Sequence, residues 1–236
     1  MVAVSASSSC SHNSRAWQAR RRARYVELNR DDFTTAFRFA LSINYSGHTR
    51  ANFGTVQRRS TTQAVENWTQ GILGELALRK FIQTKFHVGL DLDLQVYANT
   101  VVGQDITAVI KNGVSNPPRK RISVKSGKSN GMFLIVQTKE VERTERSSDY
   151  YIYTRIHYSD DFIFRLFRDH PDLVELKSLI PEMNPFKGEI VGYCEKTNLE
   201  KRETLPEANI DKPRYVKATG DLKNSDLDWQ TLINEL

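Results

Sequence analysis

Two lysines three residues apart, Lys125 and Lys128, sit in the stretch VKSGKSNG (124–131), the densest run of reactive side chains in the sequence. The letters GKS suggest a phosphate-binding loop. Such a loop requires GxxxxGK(S/T), because the first glycine opens a turn whose N–H groups surround the phosphates and a helix must start at the lysine. Ile122 stands five places before Gly127, and MFLIVQ after Gly131 has the apolar, β-branched character of a strand. Both requirements fail. A different chemistry fits better. If RISVKS (121–126) is a strand, Ile122 and Val124 fall on one face while Ser123 and Lys125 project together from the other. Asp105 in VVGQDITAVI opens the preceding strand-like segment, where its carboxylate can stand beside Lys125 across a hairpin. An aspartate, a hairpin and then x-V-K is a phosphodiesterase pattern. Magnesium needs only one or two protein carboxylates when a phosphate supplies further oxygens, and a nearby ammonium can orient water or stabilise developing charge.

The elements that must position these groups follow from periodicity. DDFTTAFRFALSIN (31–44) reads as a short helix, and the segment from Thr62 to Gln83 as a stronger one, with Val65, Trp68, Ile72, Leu73 and Leu76 on one stripe. Gly71 and Gly74 interrupt that stripe and predict the close approach of another backbone. Glu75 lies at its flank, where it can either pair with Arg79 at i+4 or reach a metal. The polar stretch 46–63 reads as loop. Beyond the second helix the period becomes two, and FHVGLDLDLQVY, DITAVI, RISVKS, MFLIVQ and DYYIYTRIHY are expected strands, the last an aromatic run that belongs in a sheet core. Helical spacing returns at 161–180, GEIVGYCEK (188–196) reads as a strand, and DLDWQTLINEL (226–236) as a closing helix. The order implies an α/β fold, a mixed central β-sheet flanked by helices, in one domain spanning 27–236.

The helix GILGELALRKFI with Glu75, the GQDI strand with Asp105, the ISVKSG strand with Lys125 and the later SDYYIYTRI strand together resemble the PD-(D/E)XK nuclease superfamily, which includes many type II restriction endonucleases. The resemblance covers roughly 62–196 and implies a restriction-endonuclease-like core. It also implies Asp105, Glu75 and Lys125 as catalytic residues, with Asp105 and Glu75 on the metal and Lys125 near the attacking water. Gln104 stands in place of the motif proline. Ser123 stands where the motif has Asp or Glu, which leaves the metal one carboxylate short. Some restriction enzymes with Ser-Val-Lys at this strand recruit a later glutamate, and Glu140 in QTKEVERTE is the nearest candidate, with Glu142 behind it.

Composition agrees with such a partner. A net charge of +6 favours a polyanion, and Arg119, Lys120, Arg121 and Lys128 surround the strand as phosphate-holding cations. Two cysteines exclude a disulfide framework or a cage of paired cysteines for zinc, and fit a reducing, cytoplasmic setting. No apolar run approaches the roughly 20 residues of a membrane span. His87, His157 and His170 show no ligand spacing. Residues 1–26 carry no acid and hold a basic knot, RAWQARRRAR (15–24), expected to be a disordered arm; a transit segment and a misassigned start remain open. The reading is a Mg2+-dependent endonuclease (Mn2+ substituting) acting on double-stranded DNA, with a homodimer expected for a palindromic site. An inactive DNA-binding protein on the same fold, or a repair or RNA-processing nuclease, are the alternatives.

Overall fold

The computed structural model describes residues 24–45, 61–96, 104–159, 162–163, 180 and 182–236. Residues 1–23, most of the expected loop at 46–63 and nearly all of the expected helix at 161–180, with His170, lie outside these. Folded chain begins earlier than the sequence implied. Arg24 is buried, donating from Nε to the Asn224 carbonyl at 2.7 Å and from its guanidinium to Asp226 at 2.7 Å, so a residue of the basic knot becomes an internal anchor.

Helix α1 (Arg30–Tyr45) starts where Asn29 accepts the N–H groups of Asp31 and Asp32 at 3.1 Å, while Asp32 accepts the Asn29 N–H at 2.8 Å. This reciprocal cap satisfies donors that a helix start leaves open. Its buried Phe33, Ala36, Phe37 and Ala40 keep helical spacing and face α2 (Thr61–Phe86). In the second half of α2, Ile72, Leu73, Leu76, Ala77, Leu78, Phe81 and Ile82 are all buried, more than one stripe allows. The helix is therefore covered on several sides. His87 ends it in the left-handed region at φ 56°, its N–H returning to the Gln83 carbonyl.

The principal sheet is mixed. Its order is β1 (Tyr25–Leu28), β8 (Phe186–Glu195), β7 (Tyr150–His157), β5 (Ile122–Lys128), antiparallel except for the parallel pair β5/β7. A parallel pair needs a crossover, and here β6 (Phe133–Gln137) and the short helix α3 (Thr138–Glu142) supply it. Strand β6 belongs to a second sheet with β10 (Arg214–Ala218) and β9 (Glu200–Arg202). A third sheet holds β2 (Gly89–Leu92), β3 (Ile106–Lys111) and β4 (Val114–Asn116), the last two joined by an Asn112–Gly113 turn with positive φ at both residues.

Strand β7 is covered on both faces. Tyr150, Ile152 and Ile156 enter the core shared with α1, α2 and the C-terminal helix α4 (Asp226–Glu235); Tyr151 and Tyr153 enter a second core with Leu134, Val136 and Val141. That is why its sequence is a continuous apolar run rather than an alternation. The α/β class and the flanking helices agree with expectation. The expected neighbour relation of β3 and β5 does not hold as a ladder: β3 pairs with β2 and β4, which leaves β5 at the edge of the principal sheet. The tight Asn112–Gly113 hairpin gives β3's second edge to β4 instead.

Candidate active site

Gly74 seats α2 against the sheet. A Cβ there would lie 2.9 Å from Ser126 Cβ and closer still to the hydroxyls of Ser126 and Thr154, which hydrogen-bond to each other at 2.9 Å across β5 and β7. The helix therefore rests directly on two strand hydroxyls, and Glu75 comes down beside the edge of β5. Gly71 meets no such neighbour, and what approaches Gly74 is a pair of strand side chains rather than the expected backbone.

Along β5 the expected alternation holds. Ile122 and Val124 are buried on the helix side, while Ser123 and Lys125 are half-buried and face the other way, toward the crossover. Asp105, just before β3, reaches β5 through its side chain: Oδ2 accepts the Val124 N–H at 2.6 Å, and the Ser123 hydroxyl also donates to the carboxylate. One carboxylate oxygen thus does for this edge N–H what a ladder partner would do. Lys125 forms an ion pair with Glu140, which α3 presents from the crossover. Helix α3 is held by buried Val141 and by the Tyr151 hydroxyl, which donates to the Glu140 carbonyl at 3.0 Å.

Glu75, Asp105, Lys125 and Glu140 therefore converge around one edge strand, Glu75 from the helix side, Asp105 at the edge, Lys125 and Glu140 from the crossover side. Their charges act on one another. Burial pushes the Glu75 carboxyl well above its usual range, and the Asp105 charge pushes it further, against the pull of Lys125. Burial also raises Asp105, opposed by Lys125 and the Val124 hydrogen bond. Burial alone would lower Lys125, but the charges of Glu140 and Asp105 outweigh it and hold the ammonium above its ordinary value. Arg79 is not among the charges acting on Glu75, whereas Asp93, just past β2, is. Asp93 was not singled out in the sequence; its backbone N–H bonds the Asp105 carbonyl at 3.3 Å, a pairing visible only once β2 and β3 are aligned.

The other candidates separate. Glu142 leaves the site, paired with Lys201 at 2.8 Å, whose hydrogen bond holds its carboxyl below the usual range. Arg121 folds back to donate to the Glu145 carbonyl at 2.9 Å and the Thr144 carbonyl at 3.4 Å. Arg119 and Lys120 are exposed before β5, and Lys128 is exposed at the strand's far end, about 20 Å along the extended chain from its first residue. The four expected phosphate contacts do not form one patch. The glycines around Lys128 have a packing role, since a Cβ on Gly127 would lie 3.0 Å from Tyr153 Cζ, and Arg155 Nε donates to the Gly131 carbonyl at 2.7 Å. His157 pairs with Glu189 at 2.8 Å, away from Lys125.

The donor set fits a hard divalent cation. Three carboxylates share one ammonium, and two of them are raised by burial and by acidic neighbours, a cost a cation would relieve. Among the described residues no three His, Cys, Asp or Glu side chains meet as a ready metal cluster. A cation here would rely on two carboxylates, Asp105 and Glu75, with water and phosphate oxygens completing its shell. No family model matches the chain, and no curated protein or solved structure matches it.

Proposed function

We propose that the protein is a metal-dependent endonuclease of the PD-(D/E)XK type that hydrolyses phosphodiesters in double-stranded DNA. The observation that carries this reading is the convergence of Glu75, Asp105, Lys125 and Glu140 at the open edge of β5. Bound Mg2+ or Mn2+ would lower the pKa of its water and neutralise charge developing on the phosphate. Asp105 and Glu75 would hold the cation. Asp105 is fixed for that task by the Val124 N–H and the Ser123 hydroxyl. Lys125, raised by its acidic neighbours, stays an ammonium at neutral pH, so it serves as a cation beside the attacking water or phosphoryl oxygen, not as a base. Glu140 orients that ammonium through its ion pair with Lys125. As a metal ligand Glu140 would either share its carboxylate between Lys125 and the cation or release Lys125. A cytoplasmic restriction enzyme working as a homodimer on a palindromic site is the biological setting this reading favours.

A second reading has its own observation. Ser123 offers a hydroxyl where the motif has an acid, which fits a DNA-binding protein of the same fold that no longer cuts. The experiment is incubation of the protein with plasmid and mixed-sequence duplex in Mg2+ or Mn2+, beside Asp105→Asn and Glu75→Gln. Nicking or cutting that both substitutions abolish supports the nuclease; wild-type protein that binds duplex and cuts none supports the second reading.

A further inference from the structure

Segment 119–121 runs beside the turn that follows α3. Arg121 donates to the Thr144 and Glu145 carbonyls, the Asp149 carboxylate accepts the Arg121 N–H at 2.8 Å, and the Asp149 N–H returns to the Arg121 carbonyl at 2.9 Å. These contacts join two groups of cations into one ridge. Arg119 and Lys120 come from the first segment; Lys139, Arg143 and Arg146 come from α3 and its turn. All but Arg146 are exposed, and Arg146 is half-buried. Lys139 lies in the first turn of α3, and Arg143 is its extended C-cap residue.

Among the described residues none of these five side chains has a carboxylate partner. The pattern differs elsewhere on the surface, where Arg30 pairs with Glu182, Lys85 with Asp226, Arg202 with Glu200 and Lys223 with Glu195. Of the acids of the ridge, Glu140 is committed to Lys125, Glu142 to Lys201 and Asp149 to the Arg121 N–H, while Glu145 is exposed. Unneutralised positive charge is thus concentrated on both sides of the short helix whose Glu140 touches Lys125.

We infer that this ridge, with Lys139, Arg143 and Arg146 as its main contacts, is the surface that holds the backbone of duplex DNA. It rests on the nuclease reading for the identity of the partner, and it moves the phosphate contacts from Arg121 and Lys128 to α3 and its turn. Contacts of this kind fix the position of the duplex and read no sequence. Each neutralised phosphate contributes about −0.9 to the slope of log affinity against log salt.

The test is a binding titration of a mixed-sequence duplex in calcium, at salt from about 50 to 200 mM. It compares the wild type with Lys139→Gln/Arg143→Gln/Arg146→Gln and with a control of equal charge loss, Lys187→Gln/Lys196→Gln/Lys212→Gln. Circular dichroism and thermal melting show that each variant is folded. Losing three contacts flattens the slope by about 2.7, so over that salt range the wild type weakens about 40-fold more than the ridge variant. The control keeps the wild-type slope. A ridge variant with the wild-type slope overturns the inference, as does a control that flattens equally. Tighter, ridge-dependent binding of duplex RNA than of DNA overturns the assignment of the partner. Because binding is read apart from cleavage, a ridge-dependent slope without cutting upholds the surface while the nuclease reading falls, and cutting with an unchanged slope does the reverse.

Discussion

Gly71→Ala and Gly74→Ala add the same methyl group to the same helix, three residues apart, with opposite expected effects. Alanine in a helix interior is favoured over glycine by about 1 kcal/mol. At Gly71 nothing lies within 4 Å of the new Cβ, so the full gain should appear, raising the melting temperature by about 2–4 °C for a chain of this size. At Gly74 the new Cβ would lie 2.9 Å from Ser126 Cβ, with the Ser126 and Thr154 hydroxyls nearer still. Carbon atoms pack best at about 3.5–4.0 Å, so the helix or both strands must separate by the better part of an ångström or more. Overpacking of this kind costs about 1–3 kcal/mol, and at the upper end of that range the helix gain leaves a net loss of about 2 kcal/mol. Thermal unfolding followed by circular dichroism measures both. The same displacement lifts Glu75 away from Asp105, so Gly74→Ala should also lose nuclease activity at temperatures where it is folded, while Gly71→Ala keeps it. Equal stabilisation by both substitutions would show that α2 does not rest on Ser126 and Thr154, and the placement of Glu75 would fall with it.

The raised Glu75 carboxyl predicts a pH dependence. Its contribution to stability is complete below its ordinary value of 4.5 and is lost as pH rises through the raised native value. Glu75→Gln should therefore be more stable than the wild type at neutral pH without divalent cations, with the advantage vanishing near pH 4.5; a constant difference across that range would contradict the burial and charge argument. Glu140→Gln removes the anion paired with Lys125 and should lower the pH at which Lys125 loses its proton, read by NMR of the labelled lysine; no change would mean that the pair does not form in solution. His87→Gly relieves a left-handed residue at the end of α2 and should stabilise the fold by up to about 1 kcal/mol; denaturant unfolding checks it, and a loss of stability would show that the His87 side chain makes contacts that matter more. Cys194 is buried, and burial pushes its thiol up to about 12, so in a Cys10→Ser protein alkylation at pH 8 should wait for unfolding; rapid labelling of folded protein would place Cys194 elsewhere.

Much of the site was legible because its signals are local. The alternation of Ile122, Ser123, Val124 and Lys125 reports a half-buried strand directly, and the aromatic run at 150–153 reports one buried on both faces. Glu75 was legible through its place beside a glycine that breaks an apolar stripe. The relations between elements were less so. Nothing local says that β3 gives its free edge to β4, so that Asp105 reaches β5 by a side-chain bond. Helix α3 is five residues long with one buried side chain, Val141, too short to show a helical period, although it delivers Glu140. Strands β9 and β10 lie in a polar segment because one face of their sheet carries charged residues, and Arg24 reads as part of a basic arm because its partners, Asn224 and Asp226, are 200 residues away in the chain.

The central claim is that Lys125 acts as a cation on the reacting phosphodiester, and the most direct measurement is single-turnover cleavage of duplex DNA by wild type and Lys125→Ala in Mg2+, beside duplex binding in calcium. Loss of one such electrostatic group costs about 10²–10³ in rate. The account predicts a fall of that size in the cleavage rate with binding changed little. Cleavage by Lys125→Ala at the wild-type rate, or a wild type that binds duplex and never cuts it, would contradict the account.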